Sequence, residues 1–152
     1  MPHPMSNDEI TAFLTAEPAR TAALATVRPD GRPHVVPVWF VLDSTAATQE
    51  SPLGDIVFTT GSATVKGKAL RRDPRVALCV DDERSPFSFV SIEGTVTLSE
   101  QPVEVLRWAT RSAARYMGAD LAEKIGNRIG EPGALVVRVR PTHVVALAEL
   151  AD

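Results

Sequence analysis

Apolar and polar residues alternate in short runs through most of this chain, the period-two pattern of strands half-buried against a core. Residues 21–27 and 33–42 are two such runs, joined by Arg28-Pro29-Asp30-Gly31, where Pro sets the bend and Gly can take positive φ. The pair predicts a hairpin. Further strands are expected over 55–60, 75–80, 87–98 and 134–147, with Gly94 a bulge or bend and Pro141 an interruption. Helical spacing intervenes four times. Ser6-Asn7-Asp8-Glu9 has the spacing of a capping box ahead of Ile10, Phe13 and Leu14, predicting a helix over 7–16. A second helix is expected over 64–72, ended by Pro74. Ser99 is expected to cap a third, with Leu106, Ala109, Ala113, Tyr116 and Met117 on its apolar face and Gly118 at its end. A fourth runs from Asp120 to near Gly130. Residues 43–55, polar and closed by Pro52 and Gly54, read as a surface loop. Six antiparallel strands with peripheral helices predict a mainly β (α+β) fold, a small six-stranded barrel.

Length and composition narrow the class. A chain of 152 residues with 44% hydrophobic and 23% charged residues fits one ordinary domain, able to bury roughly 70% of its unfolded surface. One domain over 1–152 is expected, with residues 1–6 a flexible tail. No apolar run approaches the ~20 residues that span a bilayer. Asp8 and Glu9 near the start predict no secretory leader, so a cytoplasmic location is expected. The single cysteine, Cys79, excludes an intrachain disulfide framework and a Cys-rich zinc site. Mid-strand among Val76, Leu78 and Val80, it reads as a small buried hydrophobe. A net charge of −3 argues against a dedicated nucleic-acid binder.

The charge is unevenly spread. Residues 66–75 hold Lys66, Lys68, Arg71, Arg72 and Arg75, and carry +4 against −7 in the rest of the chain. Ahead of them, the strand Val57-Phe58-Thr59-Thr60 delivers the chain through Gly61 and Ser62 to a helix start. Unpaired N–H groups, the positive dipole end, hydroxyls and lysines together suit a phosphate, although a solvated basic face shows the same spacing. It is not a Walker loop, since Ala69 stands where Ser or Thr must follow Lys68. Elsewhere, the odd positions of 87–98 put Phe87 and Phe89 on an otherwise polar face, which suggests a ligand, a partner subunit or a barrel plug. Residues 35–42 are apolar on both faces and should be covered on both, while Pro37 belongs at an edge or a gap in the ladder. His3, His34 and His143 are scattered, and no triad, carboxylate pair or metal set stands out. Any catalysis here points to a cofactor.

The order of segments resembles a known family. Residues 29–40 (PDGRPHVVPVWF), Val57-Phe58-Thr59-Thr60, residues 65–78 (VKGKALRRDPRVAL) and residues 87–94 resemble the pyridoxamine-phosphate-oxidase-like, FMN-binding split β-barrels. Within them the chain looks most like the deazaflavin-dependent oxidoreductases, group B, that use coenzyme F420. In the flavin-mononucleotide oxidases an arginine stands at the position of Val36, a second at Val65 and a glutamine at Phe89. Lys66 matches that family's phosphate-binding lysine and Thr60 a threonine serving the same phosphate. The deazaflavin carries a longer anionic tail, which a broad basic face accommodates. Where that group has Lys-x-Arg-Asn-Leu, this chain has Lys66-Gly67-Lys68-Ala69-Leu70, keeping the charge and losing the guanidinium fork.

The resemblance implies a homodimeric split β-barrel with the cofactor at the subunit interface. The ring would lie against Val36, Pro37, Val38 and Trp39, and the phosphate near Thr59, Thr60, Ser62 and Lys66. Lys68 and Phe89 complete the implied cofactor-binding set. The implied activity is hydride transfer from reduced coenzyme F420 to an enone, quinone or tetrapyrrole, with no catalytic side chain and no metal. FMN in place of F420, and a non-catalytic F420 carrier, are the alternatives.

Overall fold

The computed structural model describes residues 1–152. Its strands are β1 (His3–Pro4), β2 (Ala22–Val27), β3 (Pro33–Val38), β4 (Val41–Asp43), β5 (Asp55–Gly61), β6 (Arg75–Asp82), β7 (Ser88–Ser99) and β8 (Ala134–Ala148). The helices are α1 (Asn7–Leu14), α2 (Val65–Arg72), α3 (Pro102–Met117) and α4 (Ala122–Ile129). All pairings are antiparallel, in the order β3-β2-β6-β7-β8-β5-β4, with β1 added to β8. No helix is long and apolar enough to cross a membrane.

The expected six-stranded barrel is an eight-stranded sheet, and its ladder is not closed. One added strand comes from residues 1–6, where His3 and Pro4 pair with Ala148 and Leu147. The other comes from the run 33–42, which breaks at Trp39-Phe40 into β3 and β4. Those two strands are the opposite ends of the ladder. Two residues of covalent chain therefore bridge the gap that hydrogen bonds leave open, and the sheet bends around a seam. Pro37 lies on an edge strand, where its missing N–H breaks no ladder bond.

Inside the bend lies the main core, in which Leu24, Phe40, Phe58, Leu78, Val90, Ile92 and Leu135 are almost fully buried. A smaller core joins Trp108 and Val105 of α3 to Val57 and Val136. Ser6 and Glu9 form the capping box of α1, with Glu9 N–H donating to Ser6 Oγ at 3.2 Å and Ser6 N–H to Glu9 Oε2 at 2.7 Å. The ladder between β7 and β8 shifts register at Glu93/Gly94, opposite Pro141, so the bulge absorbs both residues and β8 runs on unbroken. Ser99 does not cap α3; the helix opens with Gln101 as its cap and Pro102 as its first residue. Its phase also differs from the expectation, because Trp108 is buried while Leu106 and Met117 are each 42% exposed.

At the β5–β8 end the outer face of the sheet is covered by α3, whose Val105 and Trp108 pack on Val57 and Val136, but across β3, β2 and β6 it carries no helix-packed core. Pro37, Ala23, Cys79, Ser91 and Val145 follow one another across five strands on that face. Cys79 is exposed there and is not the buried hydrophobe expected. Val35 is 65% exposed and Pro37 is exposed too, so β3 is covered on one side only within the single chain.

Candidate functional site

The turn from β5 to α2 builds one wall of the site. Thr59 and Thr60 end the buried part of β5, and Thr64 caps α2 by accepting from Gly67 N–H at 3.0 Å. Its hydroxyl also donates to Gly61 O at 2.8 Å, folding the turn back on the helix. Gly67 makes this possible, since a Cβ there would lie 2.2 Å from Gly61 O. The N–H groups of Val65 and Lys66 are left at the open helix start, beside the lysine side chain. That end attracts anions by charge and by dipole.

The seam builds the opposite wall. Trp39 stacks on Tyr116 of α3 with ring centroids 4.9 Å apart and planes 2° from parallel. Tyr116 Oη accepts from Phe40 N–H at 3.1 Å and donates to Arg20 O at 2.7 Å. Arg115 donates to Phe40 O and to Leu14 O, each at 2.6 Å. The backbone groups freed where the ladder stops are thereby satisfied by one helix turn. Burial raises the Tyr116 pKa, more than its hydrogen bond with Phe40 lowers it. The phenol is neutral at physiological pH and acts as a clamp; it is not poised as an acid.

Between these walls lies a cavity of about 420 Å³. Pro37, Val38 and Trp39 line one side, Thr59, Thr60, Gly61 and Lys66 the other, and Ser112 and Ile129 come from α3 and α4. Six of the ten expected site residues meet here. The other four do not. Val36 packs against the main core, and Phe89 lies far along the sheet opposite Leu147. Ser62 is tied by its N–H to Gly133 O at 2.8 Å, outside the cavity lining. Lys68, two residues and a half-turn from Lys66, faces a second concavity of about 360 Å³ with Arg28, Arg32, Arg72 and Asp30. Arg72 is anchored there to Val27 O at 2.8 Å and Arg32 to Asp30 at 2.6 Å. Arg71 turns instead to Glu100, and Arg75 lies beyond the helix, paired with Asp73 at 2.9 Å. The basic residues thus divide among four directions and do not form a single face. Ser112 and Ile129 carried no sequence signal, because a serine among alanines reads as a surface residue.

An antiparallel sheet split at one seam, with a lysine-bearing helix start across from it, defines the pyridoxamine 5'-phosphate oxidase-like class of fold. Residues 6–147 match the pyridoxamine 5'-phosphate oxidase family, and the chain belongs to that family. No curated protein matches the sequence. Among solved structures, the chain is similar to conserved hypothetical protein Rv2991 from Mycobacterium tuberculosis, with 29% identity and a TM-score of 0.75, covering 93% of this chain and 84% of that one. It is also similar to an F420 reductase, at 27% identity and a TM-score of 0.64, covering 88% and 94%. A putative pyridoxamine 5'-phosphate oxidase from Listeria innocua shares the fold at 21% identity and a TM-score of 0.65, covering 96% and 98%.

Proposed function

We propose that this protein is an oxidoreductase that binds reduced coenzyme F420 and passes a hydride to an unsaturated organic acceptor such as an enone, quinone or tetrapyrrole. The observation that carries the reading is the division of positive charge. Lys66 stands alone in the cavity with Thr59 and Thr60, while Lys68, Arg28, Arg32 and Arg72 surround the neighbouring concavity. One cation with hydroxyls suits a phosphodiester, and a separate cationic cup suits a longer anionic tail. A compact flavin phosphate would draw its cations together, yet Val36 is packed into the core and Val65 is apolar and half-exposed. The similarity to an F420 reductase supports the same cofactor.

The residues present fit such a group. Gly61 and Gly67 keep the helix start free of side chains, Lys66 and Thr60 offer charge and hydroxyl, and the flat wall of Trp39 offers an apolar surface. When bound, the reduced deazaflavin supplies the hydride. The chain supplies orientation and exclusion of water. A second copy over the row from Pro37 to Val145 would cover the exposed side of β3 and close the site, so we infer a cytoplasmic homodimer.

Titration of purified protein with F420 and with FMN, followed by tryptophan quenching, tests the cofactor. Tight F420 binding is expected; tight FMN binding without F420 binding sinks the proposal. Oxidation of reduced F420 on adding an acceptor separates an enzyme from a carrier, and failure with all three acceptor classes points to the carrier.

A further inference from the structure

Ser112 is 3% exposed, sits in the middle of α3, and lines the cavity. A serine inside a helix commonly returns its hydroxyl to the carbonyl four residues earlier, as Thr15 does to Thr11 O at 2.8 Å at the end of α1. Ser112 makes no such bond to Trp108, and its hydroxyl has no partner within the protein, although it is not sealed from the cavity. Reached from the cavity and bonded to nothing in the chain, the hydroxyl is free to pair with a molecule that occupies that space.

The surroundings hold that hydroxyl in place. Tyr116, one turn on, is fixed by its bonds to Phe40 and Arg20 and holds Trp39 parallel to itself. On the other side, α4 is pressed onto α3 at Gly126, where a Cβ would lie 2.8 Å from Thr110 Cα. That close approach fixes Ile129 beside Ser112 in the cavity wall. Lys66 and the threonines meet the cavity from the opposite side and account for an anionic group. A neutral hydroxyl that lines the same cavity as Trp39 and Ile129 matches a neutral polar atom on a flat ring.

We propose that Ser112 is a ligand-contacting residue whose hydroxyl hydrogen-bonds a carbonyl or ring nitrogen of the cofactor's heteroaromatic ring, selecting rings with a polar edge at that position. This rests on the deazaflavin reading above.

The test compares wild type, Ser112→Ala and Lys66→Ala in binding two probes, F420 and the phosphate-free deazaflavin alcohol that keeps the ring and ribityl chain. Ser112→Ala should weaken both probes equally, by about five- to tenfold, the effect of one hydrogen bond. Lys66→Ala should weaken F420 only. The melting temperature of ligand-free Ser112→Ala should be unchanged or higher, because no internal bond is lost and alanine favours the helix. Unchanged affinity for both probes overturns the inference while leaving the cofactor reading intact. A lower melting temperature without ligand, or a loss confined to F420, also overturns it. Wild type that binds neither probe removes both readings together.

Discussion

Lys66 carries the sharpest residue-scale expectation. Lys66→Ala should weaken F420 binding by about 1.5–3 kcal/mol, the range for a hydrogen bond to a charged group; isothermal titration measures it, and an unchanged dissociation constant removes Lys66 from the phosphate. Gly67 is the less obvious position. Gly67→Ala places a Cβ 2.2 Å from Gly61 O, and parting the turn from the helix should cost about 1–3 kcal/mol of stability. Affinity for F420 should fall with it, read by thermal melts and titration on one sample. Pro37, Trp39, Thr60 and Lys66 were legible in the sequence because charge, hydroxyls and a proline in an apolar run are each visible locally. Val36 and Phe89, expected from likeness alone, do not line this cavity. At Val36 the strand's alternation points the side chain into the core. At Phe89 the register carries it away from the cavity.

Among elements, the polar stretch 43–55 is held by its base. Asp43 and Asp55 face each other across β4 and β5 and are both mostly buried. Arg138 of β8 donates to Asp43 at 2.9 Å and to Asp55 at 3.3 Å, and Arg140 donates to Asp55 at 3.1 Å. Burial raises the Asp43 pKa, but hydrogen bonds from Thr45 and Arg138 outweigh it and leave the group below its usual 3.8. Arg138→Met leaves two carboxylates close together without their bridge and should cost about 2–3 kcal/mol, less than a fully buried pair would; denaturant melts check it. A surface loop was a fair reading of the composition, but its anchors lie almost a hundred residues away, beyond any local pattern. The break at Trp39-Phe40 was hidden for a similar reason. No Pro or Gly marks it, and the groups that stabilise it, Arg115 and Tyr116, arrive from α3. Capping box, hairpin and bulge were all visible, since each is written within a few residues.

For the whole molecule, acid sensitivity follows from ion pairs at two strand ends. Hydrogen bonds from Arg75 and Arg84 hold Asp73 and Asp82 each at about 2, well under the usual 3.8. A lowered folded-state pKa stabilises the fold above the unfolded value, and the benefit fades as pH falls from about 4 toward about 2. Melting temperature should drop over that window, and Arg84→Gln, which brings the folded Asp82 pKa back toward 3.8, should make the drop shallower. The outer face makes a second molecular prediction. If two copies meet there, sedimentation gives a dimer with Cys79 shielded from thiol reagents, and Ala23→Arg gives a monomer with weaker F420 binding. A monomeric wild type would remove the dimer from the proposal.

The seam between β3 and β4 also has a kinetic signature. Amides within the ladders on either side are guarded by neighbouring strands, whereas Phe40 N–H is held by one phenolic oxygen, Tyr116 Oη. Deuterium uptake at that single backbone position should therefore follow the lifetime of one side-chain contact. Tyr116→Phe would let Phe40 exchange rapidly while Val57 and Val137 stay slow. One amide thus works as a clock for the opening of the wall behind Trp39, readable in solution before any ligand is known.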